Sequence, residues 1–215
     1  DSILACLCFF MPACFCNSKI KIMKAKKILV LGGGVSGLGA AKLAIKKGFS
    51  TTLISRDSLD LNKRKILINL GVDIIEGHRS LSNLTGFSFF IKSPGIPPSN
   101  PLIQYAQKNN ISILSEIEFA SIYTDAHIIA VTGTNGKTTT SYLLYHILKN
   151  ANFNAGIAGN MGISFSDCII ENNFSHYVLE ASSFQLENII SFKPNISIML
   201  NIQEDHLDRY NHNFQ

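Results

Sequence analysis

An apolar β-branched run at residues 128–132, IIAVT, leads into Gly133, Thr134, Asn135, Gly136, Lys137, Thr138 and Thr139. Strand, glycine turn, lysine and hydroxyls in that order build a phosphate cradle. The glycines let successive backbone N–H groups turn onto phosphate oxygens, and the positive end of the following helix adds to their pull. Lys137 brings a point charge for the β- and γ-phosphates, and the Thr138 hydroxyl suits Mg2+, so the expected ligands are ATP and Mg2+. The loop is a compact GxxGKT form, because the usual GxxxxGK[ST] pattern asks for a glycine where Val131 stands. A plain turn between a buried strand and a surface helix would explain the glycines, but not Gly-Lys-Thr-Thr directly after an apolar run.

Two further apolar runs end in groups suited to the same chemistry. HYVLE at 176–180 ends in Glu180, with Ser182 and Ser183 beyond it, and ISIMLN at 196–201 is followed by Glu204, Asp205, His206 and Asp208. If the strands are parallel, both endings and the phosphate loop gather at one sheet edge, where a carboxylate and an imidazole read as Mg2+ ligands. The alternatives are an N-cap or surface charge for Glu180 and a structural role for His206. His78, His127, His146, His176 and His212 have no such context.

A second glycine turn lies upstream. Gly32, Gly34 and Gly37 satisfy GxGxxG between an apolar run and a helical pattern that closes at Gly48, with a second strand at Thr51–Ser55. That context suits a pyrophosphate. Taken alone it suggests NAD, with Asp57 on the ribose, although the turn serves any pyrophosphate, or none. Another apolar run, 87–91, meets Ser93, Pro94, Gly95, Ile96, Pro97 and Pro98, and the prolines must end the strand. The loop thus sits at a strand C-terminus, where open α/β sheets place ligands.

The elements that must carry these groups alternate between strand and helix. Short strands are expected at 72–75, 87–91 and 111–114 and a helix at 101–109, while Leu143, Leu144, Ile147, Leu148 and Ala151 predict an amphipathic helix after the phosphate loop. The fold class is therefore α/β: a Rossmann-like N-terminal domain followed by a P-loop-type mononucleotide-binding domain. The boundary is set near residue 120, with 117–127 as the connector.

With 215 residues, 46% hydrophobic and 16% charged, the chain has material for a substantial core. A net charge of +4, clustered only at Lys19–Lys27 and Lys63–Lys65, gives no nucleic-acid surface. Residues 3–16 are apolar and hold four of the five cysteines, yet 14 residues are too few to span a bilayer, and the basic residues follow the run instead of preceding it. Neither C-x-C pair, Cys6/Cys8 or Cys14/Cys16, has a partner cluster for a tetrahedral metal site. Residues 1–22 are expected to be a leader outside the fold, with Met23 as the natural start. Cys168 alone then remains, which fits a reducing cytoplasm.

TGTNGKTT at 132–139, AGNMG at 158–162, LEASSFQLE at 179–187 and NIQEDHLDRY at 201–210 resemble the Mur ligases over residues 24–212. SSFQLE with SPGI and EDHLDRY narrows the likeness to the branch that adds D-glutamate to UDP-N-acetylmuramoyl-L-alanine in peptidoglycan synthesis; the related folylpolyglutamate synthetases share TGTNGK but lack SPGI. The resemblance implies that the first domain, 23–120, holds uridine diphosphate and no nicotinamide. Val35, Ser36, Ser93, Pro94, Gly95 and Arg56 are then the UDP contacts. The family often carries Asp at the end of the second strand, where Ser55, Arg56 and Asp57 stand here.

For the second domain, 121–215, it implies ATP on Gly133–Thr139, Mg2+ on Thr138, Glu180 and His206, and Asn160 and Ser182 near the substrate. Lys137, Glu180 and His206 become the catalytic set, the protein a cytoplasmic monomer without membrane insertion, and the reaction amide formation through an acyl phosphate. A carbamylated lysine and a D-glutamate-binding third domain are implied beyond Gln215. An inactive nucleotide-binding remnant is the competing expectation, and an oxidoreductase rests on GGGVSG alone.

The resemblance predicts that residues 1–215 alone form no product. Phosphate release with UDP-N-acetylmuramoyl-L-alanine, ATP and D-glutamate checks this, and turnover matching a full-length relative refutes it.

Overall fold

Ile28–Leu31 are buried to the last atom or nearly so, as expected of a central parallel strand covered by helices on both faces. The computed structural model describes residues 26–77 and 84–205. Strands β1 (Lys27–Leu31), β2 (Ser50–Ser55), β3 (Asp73–Glu76), β4 (Phe89–Lys92) and β5 (Ser112–Ser115) form one sheet in the order β3-β2-β1-β4-β5. All pairings are parallel. Alternation divides the strands between two cores. Ile28, Val30, Phe89 and Ile91 face α1 (Val35–Lys46), whereas Leu29, Leu31 and Phe90 pack with Leu102, Ile103 and Ala106 of α3 (Pro101–Lys108). Helix α2 (Leu61–Asn69) buries only Leu67.

A second parallel sheet has the order β7-β8-β6-β9, from β6 (His127–Thr132), β7 (Ala155–Gly159), β8 (His176–Glu180) and β9 (Ile196–Met199). Helices α5 (Lys137–Asn150), α6 (Phe165–Glu171) and the single turn α7 (Ser183–Leu186) complete this unit. Among the described residues no helix is long and apolar enough to cross a membrane. The apolar spacing in α5 does produce a helix, but Leu143 is 59% and Ile147 54% exposed. The sheet covers only part of the stripe, with Leu144 and Leu148 half-buried.

The expected connector, 117–127, begins in a buried helix, α4 (Glu116–Ser121), capped by the Ser115 hydroxyl, which accepts the Glu118 N–H at 3.1 Å. Through Ile117, Phe119 and Ala120 one apolar cluster continues from the first sheet to Phe165 of α6 and to Tyr177 and Leu179 of the second sheet. Polar ties flank it. Lys42 pairs with Asp167 at 3.0 Å and Lys46 donates to Ile170 O at 2.8 Å, so α1 is fastened to α6. Glu118 accepts the N–H groups of Ile190, Ser191 and Phe192, and the Ser115 N–H reaches Asn188 O at 3.0 Å.

Glu116 lies in this seam. Its Oε1 accepts the Ser166 N–H at 2.5 Å, and Oε2 has no partner. Burial raises its pKa to about 7 from an ordinary 4.5, opposed by the Ser166 hydrogen bonds and helped by nearby Asp167. Asp167 is itself paired with Lys42, and the nearby Cys168 thiol is pushed up to about 11 by burial and the surrounding carboxylates. The folded protein therefore holds the Glu116 proton more tightly than the unfolded chain does. Its contribution to stability is complete below pH 4.5 and is lost as pH rises through about 7.

Glu116→Gln, which does not ionise, should match the parent at pH 4.5 and exceed it at pH 8 by on the order of 3 kcal/mol. Denaturant titrations at the two pH values measure this; the same difference at both would argue against a buried titrating carboxyl.

Candidate functional site

Both glycine turns lie at C-terminal strand ends, where the parallel arrangement leaves backbone groups without a strand to pair with. In the second unit β6 runs into Gly133 (φ +139°) and Gly136 (φ +85°), and Gly136 caps α5 without any side-chain acceptor. The first-turn N–H groups of α5 are thus available to an anion. The Lys137 ammonium folds back on its own loop, donating to Gly133 O at 2.6 Å and Thr134 O at 2.8 Å. Thr138 and Thr139 are exposed in the first turn.

The loop is braced from outside by the chain leaving β9. Asn201 exchanges hydrogen bonds with Asn135, N–H to Oδ1 and Nδ2 to carbonyl, both at 2.9 Å. Gln203 Oε1 accepts from Asn135 Nδ2 at 2.8 Å, and Thr134 Oγ1 accepts the Gln203 N–H at 2.9 Å.

Glu180 ends β8 opposite Val131 on one side and Gly159 on the other. It is 1% exposed, its Oε1 accepts from Asn160 Nδ2 at 3.1 Å, and Oε2 is buried with no protein partner. An anionic oxygen left bare in the interior, one strand from a phosphate loop, fits a cation ligand. The Asn160 N–H is itself held by Glu180 O at 2.9 Å. Two residues on, Ser182 starts α7, and the buried Gln185 side chain accepts its N–H and its hydroxyl at 2.9 and 3.1 Å. Lys137, Thr138, Glu180, Asn160 and Ser182 therefore share one edge of the sheet. His206 lies outside the described residues, three positions past the anchored Gln203. Among the described residues no group of three or more His, Cys, Asp or Glu could hold a metal.

In the first unit Gly34 caps α1 in extended conformation, again without a side-chain acceptor, so Val35 and Ser36 present open N–H groups. A Cβ on Gly37 would lie 1.9 Å from Gly32 O, which is why the turn closes so tightly. The proline loop abuts this turn: the Ser93 N–H donates to Leu31 O at 3.0 Å, and Ser93 Oγ, buried without a partner, sits 2.7 Å from where a Gly32 side chain would begin. Pro94 and Gly95 follow within the turn that the Ile96 N–H closes on Ser93 O at 3.1 Å. Arg56 stands apart, exposed and paired with Asp57 at 3.4 Å, while the buried Ser55 hydroxyl donates to Asp57 O.

Asn201, Gln203 and Gln185 were not singled out by spacing. The signal available was position: polar residues within five positions of the C-terminal ends of β8 and β9.

Residues 26–115 match a family model described as the Mur ligase MurD-like N-terminal domain, and residues 131–215 match the Mur ligase middle domain. The UDP-N-acetylmuramoylalanine–D-glutamate ligase of Bacteroides thetaiotaomicron is 44% identical over 190 residues, 88% of this chain and 43% of that protein. The Porphyromonas gingivalis enzyme of the same name is 43% identical over 188 residues, covering 87% of this chain and 42% of its own length. This chain thus spans less than half the length of these relatives. Among solved structures, the UDP-N-acetylmuramate–alanine ligase of Thermotoga maritima superposes with a TM-score of 0.54 at 25% identity, over 87% of this chain and 44% of that one. A UDP-N-acetylmuramate:L-alanyl-γ-D-glutamyl-meso-diaminopimelate ligase from Neisseria gives 0.57 at 20% identity, over 86% and 63%.

Gly159 has φ +113°, and a Cβ there would lie 1.9 Å from Glu180 O. Gly159→Ala should therefore cost on the order of 3 kcal/mol in denaturant titration by forcing β8 and Glu180 aside. A change within about 0.5 kcal/mol, the usual range of neutral surface substitutions, would contradict the close approach.

Proposed function

This chain belongs to the Mur ligase family, and we propose that it carries the nucleotide-sugar and ATP sites of a ligase joining D-glutamate to UDP-N-acetylmuramoyl-L-alanine in peptidoglycan synthesis. The observation that carries this reading is Glu180, a buried carboxylate with one oxygen bare beside a lysine-bearing phosphate loop. The names of the relatives, at 44% and 43% identity, support the choice of substrates.

ATP is assigned to Gly133, Thr134, Asn135, Gly136, Lys137, Thr138 and Thr139. Lys137 exchanges two loop carbonyls for β- and γ-phosphate oxygens, which costs little reorganisation because the ammonium already lies within the loop. The Thr138 hydroxyl, the free oxygen of Glu180 and His206 would hold Mg2+. When bound, that ion neutralises phosphate charge and fixes the orientation of the γ-phosphate. Asn160 keeps Glu180 oriented by occupying its other oxygen.

The diphosphate of the sugar substrate belongs on the Val35 and Ser36 N–H groups at the start of α1, with the Ser93 hydroxyl, Pro94 and Gly95 beside it and Arg56 toward the uridine. Ser182 and Asn160 lie toward the peptide end. The alanyl carboxylate oxygen attacks the γ-phosphorus, the bond to ADP breaks, and an acyl phosphate results. The D-glutamate amine then attacks the acyl carbon, loses a proton, and the tetrahedral intermediate expels phosphate. No covalent bond to the protein is needed; alignment and charge neutralisation are.

Lys137→Ala in the complete protein should lower D-glutamate-dependent phosphate release about a thousandfold, ~4 kcal/mol of transition-state stabilisation, without changing affinity for UDP. Near-normal turnover would overturn the role given to the loop.

A further inference from the structure

Lys92 is a nearly buried cation for which the phosphate chemistry above has no use. It ends β4 with a side chain 4% exposed, and its ammonium donates to Glu187 Oε2 at 2.9 Å and Ile96 O at 3.2 Å. The two partners belong to the two halves of the molecule. Ile96 closes the Ser93–Ile96 turn that abuts the first glycine turn, and Glu187 follows α7, seven residues after Glu180.

We propose that Lys92 and Glu187 are positioning residues that set the span between the diphosphate end and the carboxylate end of the bound substrate. The inference rests on the reading of this chain as a ligase of a UDP-linked acid. Such a substrate must touch the α1 edge with its diphosphate while its carboxylate reaches the phosphate loop on another sheet. A shift of about 1 Å between the two edges is enough to cost about a hundredfold in rate. Other ties between the units join α1 to α6, through Lys42–Asp167 and Lys46–Ile170 O, or start from α4 and its cap: Glu116 holds Ser166, Glu118 holds residues 190–192, and the Ser115 N–H holds Asn188 O beside Glu187.

Lys92–Glu187 connects the end of β4 and the proline loop it holds through Ile96 O to the end of α7, the short helix that follows the Glu180 strand. Lys92 is buried while Glu187 is 25% exposed, and the cost of desolvating the ammonium offsets much of the attraction, so the pair gains little stability over apolar packing. What it does supply is a fixed distance and direction between two loops that no strand pairing joins.

The test uses Lys92→Met, Glu187→Gln and the double variant of the complete protein. Each single change should lower kcat/KM for UDP-N-acetylmuramoyl-L-alanine about tenfold or more, mainly through kcat, and the double variant should be no worse than the poorer single one. The Kd for UDP, which touches only the first unit, and the KM values for ATP and D-glutamate should stay within about twofold. Unchanged kcat/KM, additive losses, or a loss of UDP affinity equal to the loss for the whole substrate would each overturn the proposal.

If the unaltered protein releases no D-glutamate-dependent phosphate, the ligase reading fails by itself. Hydrogen exchange then decides the coupling. Adding UDP should slow exchange across 183–192 in the parent and not in Lys92→Met; equal slowing in both, or none in the parent, overturns it.

Discussion

Glu118 places a carboxylate in the protein interior, 1% exposed, and fills both oxygens with donors from one short stretch of chain. The N–H groups of Ile190 and Ser191 reach it at 3.0 Å and that of Phe192 at 2.8 Å, with the Ser191 hydroxyl a further donor. A buried charge is tolerable only when so satisfied, and removing the donors would leave a penalty of several kcal/mol. Because the donors are consecutive backbone amides, they fix the path of the main chain and not merely a side chain. That path leads from Glu187 into β9, and β9 leads to Asn201 and Gln203, which brace the phosphate loop. The geometry of the glycine–lysine loop is thus set in part from a helix that does not touch it.

Parallel pairing does the rest. In each sheet the C-terminal strand ends lie together, so Gly32 and Ser93 meet at one edge, and Gly133, Asn160 and Ser182 meet at the other. Buried oxygens remain without protein partners near these features and in the seam between them, among them Ser93 Oγ, Glu180 Oε2 and Glu116 Oε2. Two are at the edges where ligands are proposed. The third belongs to Glu116, whose pKa burial pushes up to about 7.

Much of this was legible in the residues because strands covered on both faces must be apolar throughout, and ILVL, FFI and YVLE say so directly. Both glycine turns were legible for the complementary reason that only glycine fits them. Strand β7 was hidden: AGIAG carries two glycines that weaken the strand signal, yet a side chain at Gly156 would strike the Phe174 ring at 2.3 Å. Helix α4 was hidden as well, since acidic residues at 116 and 118 read as surface while in fact both are inside. Helix α2 buries one residue and so lacks a periodic stripe. Asn201, Gln203, Lys92 and Glu187 acquire their roles only through partners 66 to 95 positions away, which local pattern does not register.

The apolar cluster shared by the two units also imposes an order in time. Every strand of the first sheet lies within residues 27–115, so that sheet has all its pairing partners before β6 is synthesised. The faces of α1 and α4 that pack against α6 lack that cover until α6 exists. At about 5–20 residues per second, the interval from Ser121 to Phe165 is roughly two to nine seconds on the ribosome. During that window the nascent first domain exposes an apolar flank that the finished molecule no longer shows.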